Sequence, residues 1–360
     1  MRILFAGGGT GGHIYPAISI ANAIQELHPQ AVIEFVGTPS GLESKLIPQA
    51  GFKIHMIPVG RLNSNVSLYE RIQTVLMLPV AILKSFFIVR SFSPNVVVGV
   101  GGNASGPLVL AAALMRYRTC IWEPNAYPGL ANRWLSSFVT KTLVVFTEAA
   151  KFLKNKNIVN VPMPVRKEIE NVLPTKKHKN EFHILLFGGS QGARALNNIL
   201  SEAIKIGGEW LNNVKIVHQT GSLDFSRITE VYANIKYAKN CVTVLEYLHD
   251  MPSRYVWADL VISRAGISTI SELAACGKAA LLVPLPSAAD DHQTKNAQAL
   301  VDANGARFIK QKDLTAERLI REIEDFKAHP EKIVLLEENI RKLYKPKAAL
   351  EIAKIVLEEA

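Results

Sequence analysis

The stretch with the clearest chemistry is Gly188-Gly189-Ser190-Gln191-Gly192-Ala193, which follows the apolar run Phe182 to Phe187 and leads into Arg194-Ala195-Leu196-Asn197-Asn198-Ile199-Leu200. A strand feeding a glycine turn into a helix start gathers free backbone N–H groups and the positive end of a helix dipole, which together attract phosphate. Near the N-terminus the pattern recurs, with Ile3-Leu4-Phe5 running into Gly7-Gly8-Gly9-Thr10-Gly11-Gly12-His13. A third cluster, Gly99-Val100-Gly101-Gly102-Asn103-Ala104-Ser105-Gly106-Pro107, follows Val96-Val97-Val98. Alone it reads equally well as a flexible turn at a strand end. Two anion-type loops in one half nevertheless point to a second phosphate there.

Other residues invite narrower readings. Gly7-x-Gly9-x-x-Gly12 fits the dinucleotide fingerprint, which also needs an acid ending the second strand. That strand ends in Gly37-Thr38, with Glu34 in its middle, so a nicotinamide dehydrogenase loses ground. His13 follows the first loop, and an unperturbed pKa of about 6.5 suits a base for a hydroxyl; the alternative is a helix-start histidine with no such duty. Glu272 falls within the first turns of a helix after Ser263-Arg264-Ala265-Gly266, where a carboxylate can accept both ribose hydroxyls or simply complement the helix dipole. Asp290-Asp291-His292-Gln293-Thr294-Lys295-Asn296 is read as loop polarity, not as a metal site.

The elements that must position these groups alternate regularly. Ile14 to Leu27 has helical spacing, and strand-like runs occur at Ala31 to Gly37, Lys53 to Val59, Val96 to Val100, Thr119 to Trp122 and Thr142 to Val145. The second half repeats this at Val214 to Gln219, Val242 to Leu245, Leu260 to Ser263 and Ala279 to Pro284. Such alternation predicts doubly wound parallel sheets. The prolines of Val161-Pro162-Met163-Pro164-Val165-Arg166, then Pro174 and the charged run Lys176 to Glu181, mark a domain boundary. A terminal helix is expected over Ala348 to Glu358, with no local signal of where it docks.

A chain of 360 residues is long for one core, and 48% hydrophobic with 20% charged residues excludes a mostly disordered protein. The net charge of +10 predicts an anionic partner without choosing among phosphate, nucleic acid and membrane surface. Cys120, Cys241 and Cys276 have neither disulfide-framework nor zinc spacing, and the N-terminus enters a strand at once, so the expectation is an intracellular protein without a signal peptide. Tyr69 to Phe92 is unusually apolar, but Pro79, Lys84 and Ser85 interrupt it. It is expected to be a buried helix, an amphipathic helix resting on a membrane, or both, and not a span.

Together these residues resemble one family, the MurG glycosyltransferases. The resemblance runs in order through Gly8 to His13 with Pro16-Ala17, Gly101 to Pro107, Glu123-Pro124-Asn125-Ala126 with Gly129-Leu130-Ala131-Asn132, Pro164-Val165-Arg166, Gly188 to Ala193, Ser263 to Gly266 with Glu272, and Asp291 to Ala297. It implies a GT-B fold: two Rossmann-like doubly wound parallel-sheet domains facing across a cleft. Residues 1–162 with 345–360 would form the acceptor and membrane-facing domain, and 163–344 the UDP-sugar donor domain. The implied activity is inverting transfer of N-acetylglucosamine from UDP-N-acetylglucosamine to the 4-hydroxyl of a lipid-linked muramyl pentapeptide, with no cofactor and no metal.

The same resemblance assigns Ser190, the N–H groups of Gln191 and Gly192, and Arg166 to the donor pyrophosphate, Leu248 to uracil and Glu272 to ribose. It assigns Gln293 and His292 to the sugar hydroxyls, with Thr10, Gly11, Gly12 and Asn125 completing the donor set. Gly9, Thr10, Gly102, Asn103, Ser105 and Gly106 would hold the acceptor. His13 is the candidate base, and Asn125 or Glu123 the alternative for positioning the hydroxyl. His292, Asn103 and Trp122 depart from the best-known members, which leaves side-chain roles there open. The implied partners include the anionic cytoplasmic membrane surface, touched peripherally through Val75 to Val89 with Arg71, Lys84 and Arg90, and no nucleic acid. A diacylglycerol glycosyltransferase, a nicotinamide dehydrogenase and a non-catalytic UDP-sugar sensor are the other readings.

Overall fold

The computed structural model describes residues 1–9, 11–60, 67–170, 172, 180–189 and 191–360. It divides into two compact units, Met1–Arg166 with Lys345–Ala360, and Lys167–Tyr344. The expected Pro174 and Lys176 to Lys179 boundary signals lie outside the described residues.

The first unit is built on seven parallel strands, β1 (Arg2–Ala6), β2 (Val32–Gly37), β3 (Lys53–Met56), β4 (Val96–Gly99), β5 (Arg118–Glu123), β6 (Lys141–Val144) and β7 (Ile158–Asn160), ordered β3-β2-β1-β4-β5-β6-β7. Helices cover both faces, so the central strands are apolar without alternation: Ile3 to Ala6 and Val96 to Val98 are fully buried. The terminal helix Ala348–Glu359 packs on the helix Gly11–Leu27 and on β4 and β5, burying Ala348, Ile352, Ala353 and Val356. Lys141 holds its end through Glu359, 2.7 Å away.

The second unit has six parallel strands, β8 (Phe182–Phe187), β9 (Val214–Gln219), β10 (Val242–Leu245), β11 (Leu260–Ser263), β12 (Ala280–Leu282) and β13 (Arg307–Phe308), ordered β10-β9-β8-β11-β12-β13. The two doubly wound parallel sheets are the ones the alternation predicts. The sequence reading lacks only the short edge strands β7 and β13, where two or three residues give no periodicity to detect.

Pro79 does not break the apolar segment: one helix runs from Leu68 to Phe92, started by a reciprocal Ser67–Glu70 capping box. It is long and apolar enough, by length and composition, to cross a membrane. One stripe, Ala81, Ser85, Ile88, Val89 and Phe92, is nevertheless committed to the sheet core and packs by the helix Ser105–Leu114. The opposite stripe stays apolar and uncovered within this unit, with Leu83 59% and Phe87 67% exposed.

Candidate functional site

Each sheet grows outward in both directions from its first strand, and loops leaving the switch point where the strand order reverses open a crevice at the strand ends. In the first unit this point lies between β1 and β4, so the first and third glycine clusters of the sequence become neighbours. The Gly8 N–H donates to the Gly101 carbonyl at 3.3 Å. Gly102 has φ +82°, and a Cβ there would overlap the Gly8 backbone. The His13 ring lies against Gly101, 2.8 Å from where a Cβ would stand. His13 thus sits where both loops converge, with Gly11 and Gly12 opening its helix.

Sequence reasoning missed the residue that holds the first loop. Glu43, 1% exposed, opens the helix Glu43–Gln49 after β2. Its Oε2 accepts the Gly9 N–H at 2.7 Å, and its Oε1 accepts from the Thr38 N–H and hydroxyl at 2.9 and 2.8 Å. The backbones of Gly8, Gly37 and Gly41 enclose the carboxylate so closely that a Cβ on any of them would overlap it. The Gly9 N–H, expected on the acceptor side, is therefore bonded to this carboxylate. Only the spacing of Glu43 after Gly37-Thr38 could have hinted at this.

The second loop differs. Ser105 opens the helix Ser105–Leu114, and its buried hydroxyl has no hydrogen-bond partner among the described residues. Gly102, Asn103 and Gly106 are partly exposed beside it.

Glu123 ends β5 at 2% exposure. Its Oε1 accepts from the Asn125 N–H and side-chain amide at 2.9 and 3.1 Å, and its Oε2 from the Gly129 N–H and the Asn132 side chain, both at 2.9 Å. Burial pushes its carboxyl above the usual range, against the pull of those donors. The two expected alternatives, Glu123 and Asn125, are thus bonded to each other, with Glu123 buried and Asn125 partly exposed. Trp122 is fully buried and belongs to the core.

In the second unit the switch point lies between β8 and β11. The Gly192 N–H closes the loop onto the Gly189 carbonyl at 2.9 Å, ahead of the helix Arg194–Ile206. Gly192 has φ +75° and packs so tightly on the Thr220 carbonyl that a Cβ would overlap it. Behind this contact lies a polar network the sequence does not announce. The buried Asn197 donates to the Thr220 carbonyl at 3.0 Å and to Asp224 at 2.8 Å, while its Oδ1 faces His218 Nε2 at 3.0 Å. His218 Nδ1 pairs with the Tyr232 hydroxyl at 2.9 Å, and Arg227 binds Asp224. Burial drops the His218 pKa to about 3, so the ring is neutral near pH 7.

Leu248 is buried in the loop after β10, beside a cavity of about 460 Å³ lined by Ser222, Glu246, Tyr247 and His249. Glu272 is the sixth residue of the helix Ile267–Cys276, beyond the first turn, so dipole complementation does not explain it. Its Oε2 accepts from the Tyr255 hydroxyl at 3.0 Å. Gln293 accepts the Leu285 N–H at 3.0 Å through its Oε1, and His292 begins the same helix. Asp290 and Asp291 are consecutive left-handed residues ahead of it. Arg264 is spent on structure, tying its loop to the Val283 and Pro284 carbonyls at 3.1 and 3.2 Å. Arg166 ends the first segment of the first unit, and Gln191 is exposed. Thr10 and Ser190 lie outside the described residues. Among the described residues no cluster suits a metal ion.

Comparison with known proteins fits this geometry. Residues 3–144 match the glycosyltransferase family 28 N-terminal domain and residues 183–355 the family 28 C-terminal domain. The chain is 48% identical, over 99% of both chains, to a Bdellovibrio bacteriovorus protein named UDP-N-acetylglucosamine–N-acetylmuramyl-(pentapeptide) pyrophosphoryl-undecaprenol N-acetylglucosamine transferase. A Myxococcus xanthus protein of the same name is 39% identical, over 99% of this chain and 93% of that one. The crystal structure of Acinetobacter baumannii MurG superposes with a TM-score of 0.81 at 28% identity, covering 99% of both chains.

Proposed function

The chain belongs to glycosyltransferase family 28, and we propose from that premise that it transfers N-acetylglucosamine from UDP-N-acetylglucosamine to the 4-hydroxyl of undecaprenyl-pyrophosphoryl-N-acetylmuramyl pentapeptide, with inversion at the anomeric carbon. The observation that carries this is the 48% identity, end to end, with a transferase named for that reaction. Its products are the lipid precursor of peptidoglycan and UDP.

The chemistry follows from where charge develops. As the glycosidic bond to UDP breaks, negative charge grows on the pyrophosphate. The Gln191 and Gly192 backbone before the helix Arg194–Ile206, with that helix's dipole, Ser190 and Arg166, is assigned to meet that charge. Glu272, braced by Tyr255, takes the ribose hydroxyls, the Leu248 backbone takes uracil, and Gln293 and His292 read the sugar. On the acceptor side the N-terminal end of the helix Ser105–Leu114, with Gly102, Asn103, Ser105 and Gly106, suits a pyrophosphate. His13 takes the proton from the attacking hydroxyl, and Asn125, held by Glu123, orients that hydroxyl.

The acceptor's lipid tail stays in the bilayer. The exposed stripe Val80, Leu83 and Phe87, with Arg71, Lys84 and Arg90, supports peripheral docking on an anionic cytoplasmic membrane surface.

The test is incubation with labelled UDP-N-acetylglucosamine and two acceptors, the lipid-linked muramyl pentapeptide and diacylglycerol. Label should enter only the first. Transfer to diacylglycerol alone would replace this reading with a glycolipid synthase, and transfer to neither would make the chain a UDP-sugar binder.

A further inference from the structure

Glu43 lies outside every motif that points to the reaction, yet it is among the most enclosed carboxylates of the first unit. Burying a carboxylate is costly unless hydrogen bonds compensate, and here two backbone N–H groups and a hydroxyl do so. Those bonds tie the end of β2, at Thr38, to Gly9 of the first glycine loop. From Gly9 the contacts continue without a gap: Gly8 donates to the Gly101 carbonyl, Gly102 closes on the Gly8 backbone, and Gly101 abuts the His13 ring.

We propose that Glu43 is a positioning residue for the transfer: its grip on Gly9 sets the first glycine loop against the second, and so fixes the His13 ring where the acceptor hydroxyl is deprotonated. This rests on His13 being the base. A carboxylate is required because each oxygen accepts a backbone N–H. The equally shaped glutamine has one acceptor atom, so whichever way its amide turns, an NH2 faces an N–H. Thr38→Val removes only the hydroxyl donor and keeps both backbone bonds.

The experiment measures kcat, both KM values, UDP affinity and Tm for Glu43→Gln, Thr38→Val, His13→Ala and the double variant His13→Ala/Glu43→Gln. Glu43→Gln should lower kcat about 10- to 100-fold, as expected for a displacement near one ångström, with UDP affinity unchanged. Thr38→Val should lower it less. In the His13→Ala background Glu43→Gln should lower kcat no further, because the two act as one unit. A folded Glu43→Gln protein with wild-type kcat overturns the proposal while an inactive His13→Ala leaves the base assignment standing. A full additional loss in the double variant overturns it as well. Near-normal kcat in His13→Ala removes the base and this inference with it. If Glu43→Gln does not fold, Glu43→Asp, which keeps two acceptor oxygens on a shorter stem, takes its place: lowered kcat at unchanged UDP affinity supports the proposal, and unchanged kcat overturns it.

Discussion

The loop after β1 and the loop after β8 are drawn from the same pattern, an apolar strand, a run of glycines and a helix start, yet they are filled from behind by opposite chemistry. Behind the first stands the Glu43 carboxylate, which takes the Gly9 N–H. Behind the second stand the Thr220 carbonyl and a network of Asn197, neutral His218, Tyr232 and Asp224, while the Gly192 N–H closes on the loop's own Gly189 carbonyl. The glycines determine that backbone can approach closely. What packs beneath determines whether the loop can welcome an anion. The proposed roles follow that difference, the second loop taking the departing nucleoside diphosphate and the first orienting His13 beside the attacking hydroxyl.

The largest expected effects come from adding a side chain to either loop. Gly192→Ala drives a Cβ into the Thr220 carbonyl at a left-handed φ of +75° and should cost about 3 kcal/mol with loss of UDP binding in a calorimetric titration. Gly102→Ala, at φ +82° against Gly8, should cost about as much and abolish transfer, but any folded protein should still bind UDP. Equal loss of UDP binding in both would erase the distinction between the loops.

Next comes the network itself. Asn197→Ala takes one hydrogen bond each from the Thr220 carbonyl, His218 and Asp224, so denaturant unfolding should show a loss of about 2–3 kcal/mol and kinetics a raised donor KM. An unchanged donor KM would detach the network from the loop it braces.

The pH dependence sharpens the contrast further. His218 has a folded pKa of about 3 against about 6.5 unfolded, so only the unfolded chain takes up the proton between those values. Its contribution is complete above about pH 6.5 and is lost as pH falls toward 3, at up to about 1.4 kcal/mol per pH unit. Arg227 holds Asp224 down to about 2, and that contribution is lost in a separate window, from 3.8 downward. A plot of Tm against pH should therefore be steeper for the wild type than for His218→Gln between pH 6.5 and 4; parallel curves would remove His218 from the account.

The smallest stability change belongs to the apolar helix. Leu83→Asp with Phe87→Asp should leave stability within about 0.5 kcal/mol per site, both being well exposed, while reducing sedimentation with anionic vesicles. Undiminished vesicle binding would take this face out of membrane docking.

Local patterns made much of the fold legible. The strands β8 to β11 follow from short runs rich in apolar and β-branched residues, and the glycine loops from their place between a run and a helix start, because both signals lie within a few neighbouring residues. Edge strands β7 and β13 are too short to carry such a signal. The apolar helix shows the limit from the other side: its residues announce a helix, but only the fold commits Ala81, Ser85 and Val89 to one side and leaves Leu83 and Phe87 exposed on the other.

The sequence by itself determined two parallel sheets, three glycine turns at strand ends and the side chains next to them, since propensity and periodicity act at short range. Only the tertiary structure decided what lies beneath those turns. Glu43 reaches Gly9 across 34 positions and His218 reaches Asn197 across 21. Such partners are chosen by how strands order in the sheet, and a buried polar group finds them because leaving it unsatisfied costs more than the local pattern can offset. That a carboxylate holds the Gly9 N–H of the first loop was therefore invisible until β2 lay beside β1.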